Sequence, residues 1–110
     1  MSAKQVTDNA LAIEGLIFMA TAPDWFLCSE PDPNGPRIRI KSNDGHVLWS
    51  WAGEINFAGS DLEFLVDKKF VEEATFASRD DIARFQPTKL GRAVGLALTI
   101  LHPLPSLHRN

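Results

Sequence analysis

Few side chains in this sequence have the type and spacing to do chemistry. Cys28 is the single cysteine, which excludes an internal disulfide and a cysteine-rich zinc site. A thiol nucleophile needs a base, yet no histidine stands near Cys28 in sequence. His46, His102 and His108 also lack the helical pairing that suggests a metal. The adjacent carboxylates Asp80–Asp81, beside Arg79, and Glu72–Glu73 act as acid and base only in a cleft that shifts their pKa values, and otherwise read as solvated charge. The expectation is a chain that is not an enzyme, with no catalytic, cofactor-binding or metal-ligating residue and no cofactor. A small enzyme using Cys28 and a histidine is the weakest alternative.

Binding chemistry is better represented. Arg37, Arg39 and Lys41 alternate with apolar residues and form a basic strip that can meet phosphates or an acidic protein surface, or simply face solvent. Trp49 and Trp51 share a predicted inward face with Val47 and read as core, whereas Trp25, close to a proline-rich loop, reads as a surface anchor. Arg79 and Arg84 extend the basic set. The candidate interaction residues are thus Trp25, Arg37, Arg39, Lys41, Arg79 and Arg84. No global field favours a polyanion, because the net charge is −3. Residues 1–55 carry four basic and seven acidic side chains, and residues 56–110 seven of each.

The positioning elements must fit one core, since 110 residues is the size of one domain. A hydrophobic fraction of 45% with 23% charged residues is that of a folded globule. The apolar run 11–22 is too short to span a membrane, and Asp8 and Glu14 argue against a secretory leader, so a cytoplasmic setting without membrane contact is expected.

Thr7, Asp8 or Asn9 can cap a first helix over Ala10, Leu11, Ile13, Leu16, Ile17 and Ala20. Thr21–Asp24 then suits a single helical turn through Trp25, Phe26 and Leu27, and residues 31–36 (PDPNGP) form a loop. Residues 37–51 predict a hairpin about a four-residue loop, Ser42–Gly45, which pairs Ile40 with Val47 and Ile38 with Trp49. The odd-numbered apolar positions continue through Trp51, Ile55 and Phe57 past a bend at Gly53. Ser60 and Glu63 form a capping box for a helix running on through LEFLVDKKFVEE. Residues 74–86 are either two short strands turning at Arg79–Asp81 or a helix capped by Ser78. Thr88 caps a last helix to about Leu101, apolar around most of its circumference and therefore either central or covered by a partner, a homodimer included. Residues 103–110 read as an extended tail.

The segment from Leu62 to Val94 resembles the last part of a winged-helix domain. Leu62, Leu65, Val66, Phe70 and Val71 match its recognition helix, and Phe85, Thr88, Gly91 and Arg92 a strand running into T-x-x-G-R. The resemblance covers about a third of the chain. It implies a winged-helix-like fold piece, and nucleic-acid binding through Arg37, Arg39, Lys41 and a wing around Arg79 and Arg84. Against phosphate stand five acids on that helix segment, Asp61, Glu63, Asp67, Glu72 and Glu73, facing two bases, Lys68 and Lys69.

The sequence therefore predicts one small α+β domain with an N-terminal helix, a central antiparallel hairpin or meander over 37–57, and C-terminal helices on its apolar face. The expected function is a non-catalytic protein-interaction module of inhibitor, adaptor or immunity type, acting by surface complementarity. A winged-helix transcriptional regulator is the alternative.

Overall fold

The computed structural model describes residues 10–50, 53–74, 82–101 and 107–108. Its elements are α1 (Ala10–Thr21), β1 (Trp25–Glu30), β2 (Arg37–Ser42), β3 (Trp49–Ser50), β4 (Gly53–Glu54), α2 (Gly59–Asp67), β5 (Val71–Glu73), β6 (Ala83–Pro87), α3 (Lys89–Leu98) and β7 (Leu107–His108). The predicted α+β class is observed. A four-stranded antiparallel sheet has the order β2-β1-β6-β5, and β4, β3 and β7 form a small second sheet.

The helical turn expected at Trp25–Leu27 is instead strand β1. Trp25, Phe26, Leu27 and Cys28 are all buried, because β1 lies inside the sheet between β2 and β6 with both faces covered. A strand covered on both faces shows no alternation, so its pattern does not separate it from a short buried helix. The loop at 31–36 is observed: Asn34 N donates to Asp32 Oδ1 at 3.0 Å and Gly35 N to the Asp32 carbonyl at 2.9 Å. It returns the chain so that β2 pairs along β1, with Leu27 opposite Ile40 and Cys28 opposite Arg39.

The turn after β2 closes with three residues rather than four. Ser42 N donates to the His46 carbonyl and Lys41 bridges Val47, with Gly45 at φ +90° completing the turn. One residue fewer in the loop moves every following side chain to the opposite face. Leu48 is thereby fully buried, bonding its N–H to the Ile40 carbonyl at 2.9 Å, while Val47 is only half-buried and Trp49 is 38% exposed. Ile55 and Phe57 are buried as expected, and Trp51 lies outside the described residues. Within the expected tail, Leu107–His108 pairs with Trp49–Ser50, and the rest of 103–110 lies outside the described residues.

α2 starts and stops earlier than predicted. Its cap is at Ala58 rather than Ser60: the buried Asp61 carboxylate accepts the Ala58 N–H at 2.9 Å, near the positive end of the helix dipole. After Asp67 the chain turns at Lys69, a non-glycine residue at φ +62°, which costs on the order of 1 kcal/mol. The turn is held by Lys69 N donating to the Val66 carbonyl and Phe70 N to the Leu65 carbonyl, and by an edge-on contact of Phe70 with Phe64 at 6.4 Å. Val71–Glu73 can then be strand β5, pairing with β6 so that Glu72 faces Gln86. The strand alternative for 74–86 is thus the observed one over Ala83–Pro87. The connection 75–81, with Arg79, lies outside the described residues.

Thr88 caps α3 as predicted, accepting from Gly91 N at 2.9 Å and donating to the Lys69 carbonyl at 2.6 Å. The central helix, however, is α1: Ala12 and every residue from Gly15 to Ala20 are buried. It packs against the sheet face carrying Trp25, Leu27, Ile38 and Ile40, and against α2 and α3. Fully burying each large apolar side chain, Leu16 and Leu27 among them, contributes about 1.5–3 kcal/mol. Among the described residues no helix is long and apolar enough to cross a membrane.

Candidate functional site

Four of the six residues singled out from the sequence meet on one surface. Cys28 faces Arg39 on one side and Arg84 on the other, so Arg37, Arg39, Lys41 and Arg84 share the sheet face opposite α1. Glu30 and Glu54 interleave with them. Arg39 donates to Glu30 Oε1 and, at 3.0 Å, to Glu54 Oε2; Lys41 reaches Glu30 at 3.4 Å and Arg37 reaches Glu54 at 3.5 Å. The Arg84 guanidinium lies 4.6 Å from the centre of the Phe26 ring. With the Arg39 side chain only 13% exposed, much of the strip is an internal ion-pair network rather than a solvated basic surface. Its carboxylates also break up the field that a phosphate chain would need.

Trp25 is buried at 9% exposure, packed edge-on against Phe18 at 5.2 Å, so the expected surface anchor is part of the core. The roles of Trp25 and Trp49 are exchanged relative to the sequence reading. The one-residue change of turn length exposes Trp49, and the strand conformation of 25–30 buries Trp25.

The ion pairs carry a pH dependence. Burial alone pushes the Glu30 carboxyl up, but the hydrogen bond from Arg39 and the charges of Lys41 and Arg39 outweigh it and hold the carboxyl below its ordinary 4.5. A carboxylate depressed in the folded state stabilises the fold above its unfolded pKa and loses that contribution as the pH falls through the folded value. Acid unfolding followed by circular dichroism is expected to show a loss of stability beginning below pH 4.5 that Glu30→Gln shows less strongly. Equal acid sensitivity in both proteins would contradict the network.

A cleft of about 140 Å³ opens on this face between Phe26, Cys28, Glu30, Lys41, Ile82 and Arg84. Burial pushes the Cys28 thiol up from its ordinary 9.0, and Glu30 adds to the shift while Lys41, Arg84 and Arg39 oppose it. The cysteine is therefore protonated near neutral pH, and no histidine is among the described residues lining the cleft. Among the described residues no three histidine, cysteine or acidic side chains are grouped to hold a metal ion.

The other surface is the outer side of α3, and its arrangement inverts that of an ordinary surface helix. Glycines face the protein: a Cβ on Gly95 would lie 2.6 Å from Ala20 Cβ, and one on Gly91 only 1.9 Å from the Phe70 carbonyl oxygen. Arg92 fixes the crossing by donating to the Met19 and Ala20 carbonyls at 3.4 and 3.5 Å, near the negative end of α1. Val94 packs against the core, but most of the large apolar side chains here face outward. Leu90 is 50%, Leu96 47%, Ile100 84% and Leu101 71% exposed, with Ala93 and Ala97 exposed between them. No charge interrupts the run from Ala93 to Leu101. At the start of this stripe, where α2, β5 and α3 meet, is a groove of about 610 Å³ whose apolar walls are Val66, Val71 and Leu90, flanked by Lys69 and Lys89 and by Glu72 and Glu73.

The sequence signalled an apolar helix but not which side it buries. The signal was present in Gly91 and Gly95, whose spacing marks the side that approaches another backbone. The groove had none, because it is formed by three elements whose meeting depends on the turn at Lys69. No protein-family model, no curated protein and no solved structure matches this chain.

Proposed function

We propose that this chain is a non-catalytic protein-interaction module of inhibitor or adaptor type, working by surface complementarity, with the outer side of α3 as its binding surface. The observation that carries the reading is the inversion along α3 and the turn after it: glycine toward the protein, and Leu90, Leu96, Ile100 and Leu101 toward solvent, without a charge from Ala93 to Leu101. A contiguous exposed apolar patch of this kind is the usual mark of a protein interface. From Ala93 to Leu101 its chemistry suits an apolar protein surface better than a phosphate chain.

Leu96→Glu tests this at a half-exposed position where the fold tolerates charge. The wild type is expected to form a complex with protein, its own copies included, that Leu96→Glu loses while keeping its circular dichroism and melting temperature. A complex retained by the variant, or steep salt-dependent binding of random duplex DNA by the wild type, would sink the reading.

A further inference from the structure

We infer that the surface covering α3 is a second copy of this chain, docked antiparallel so that the Ile100–Leu101 ridge of each protomer enters the groove beside Leu90 of the other. The inference rests on the interaction reading above and names its occupant.

The stripe carries a projection at one end and a receptacle at the other. Ile100 and Leu101, at 84% and 71% exposure, are the most exposed large apolar side chains among the described residues. They are held in a defined turn, with Leu101 N donating to the Leu98 carbonyl at 3.0 Å and Thr99 Oγ1 to the Leu96 carbonyl at 2.6 Å. The groove of about 610 Å³ lies beside Leu90, roughly 15 Å away along the helix at its usual rise per residue. A two-fold axis through the middle of the stripe exchanges its ends, so one operation seats both ridges in both grooves. Ala93 and Ala97 occupy the middle, and their small side chains let the two helices approach there.

Charge selects the antiparallel arrangement. The first turn of α3 has no acid and carries Lys89, and its last turn has no base. Each end is thus unfavourable or uncompensated against the helix dipole. An antiparallel copy brings Lys89 of one protomer toward the C-terminal carbonyls of the other. A parallel copy would set Lys89 against Lys89 and ridge against ridge.

Sedimentation or light scattering over a concentration series gives the test. Wild type is expected at twice the 12.2 kDa protomer mass. Ile100→Glu and Leu90→Lys, both at exposed positions, are each expected to weaken self-association at least about tenfold, a change of roughly 1.4 kcal/mol. An equimolar mixture of the two is expected to recover a one-to-one dimer, because that pairing alone joins a glutamate ridge to a lysine groove and leaves the other ridge and groove as in the wild type. Leu101→Glu supplies a second ridge variant, and circular dichroism confirms that each is folded. A wild type monomeric at about 100 μM, single variants as dimeric as the wild type, or a mixture that stays monomeric would each overturn the inference. A monomeric wild type that binds another protein through Leu96 rejects the second copy alone; failure to form any complex rejects both readings.

Discussion

Gly91→Ala is expected to destabilise the protein by at least about 3 kcal/mol, a large share of the roughly 5–15 kcal/mol that holds an ordinary domain folded. Alanine is normally the better residue inside a helix, by about 1 kcal/mol, so intrinsic propensity predicts the opposite sign. The contact decides otherwise. A Cβ at Gly91 would lie 1.9 Å from the Phe70 carbonyl oxygen and 2.7 Å from its carbon, and these are backbone atoms that cannot rotate aside. That same carbonyl accepts the Thr88 N–H at 2.9 Å, so moving it also disturbs the cap of α3. Gly95→Ala meets Ala20 Cβ at 2.6 Å and the Leu16 carbonyl at 3.0 Å and is expected to cost about 1–3 kcal/mol, as overpacking does. Gly59→Ala is the control, with nothing within 4 Å of its new Cβ and an expected change within about 1 kcal/mol. Urea unfolding of the three variants checks the order. A Gly91→Ala protein as stable as wild type would mean that α3 does not sit against Phe70.

Leu48→Ala is expected to cost about 3 kcal/mol and Trp49→Ala less, about 1–2 kcal/mol. A tryptophan buried in a core would lose more than a leucine, so the reversed order tests the register of the turn directly. Leu48 is fully buried and bonds back to Ile40, while Trp49 is 38% exposed. With a four-residue loop the two would change places. Chemical denaturation of both variants distinguishes the registers, since equal slopes with different midpoints isolate stability from changes in the unfolded ensemble. A costlier Trp49→Ala would contradict the three-residue turn.

These two cases show which parts of the fold are legible in the sequence. Local punctuation was legible: Thr88 caps its helix, PDPNGP turns the chain, and Ile38 and Ile40 point inward. Features set by a difference of one residue were not, because loops of three and four residues through Asn43, Asp44 and Gly45 use the same turn-forming side chains yet put opposite faces inward. Nor was β1, whose four consecutive buried residues follow from cover on both faces, by Phe18 of α1 over Trp25 and by Arg84 over Phe26, rather than from any periodicity of its own. The basic strip was seen correctly as three cations on one face. Its meaning was hidden, because the carboxylates that hold Arg39 come from 9 and 15 residues away and reach it only after folding. The apolar character of the last helix was plain. The Gly91–Gly95 spacing hints at its inward side, and the contacts of these glycines with Phe70, Leu16 and Ala20 fix it.

The central placement of α1 sets the order in which the chain can fold. Its twelve residues carry a single charge, Glu14, and its C-terminal carbonyls are met by Arg92 across 73 residues of sequence. During synthesis α1 emerges early and α3 late, so the side of this almost uncharged helix that α3 covers stays open until most of the chain has followed. Contacts at such separation slow the search for the native state, and the uncovered segment is exposed to aggregation meanwhile. On the ribosome, therefore, it is the buried centre of the finished protein, rather than its exposed rim, that most needs shielding.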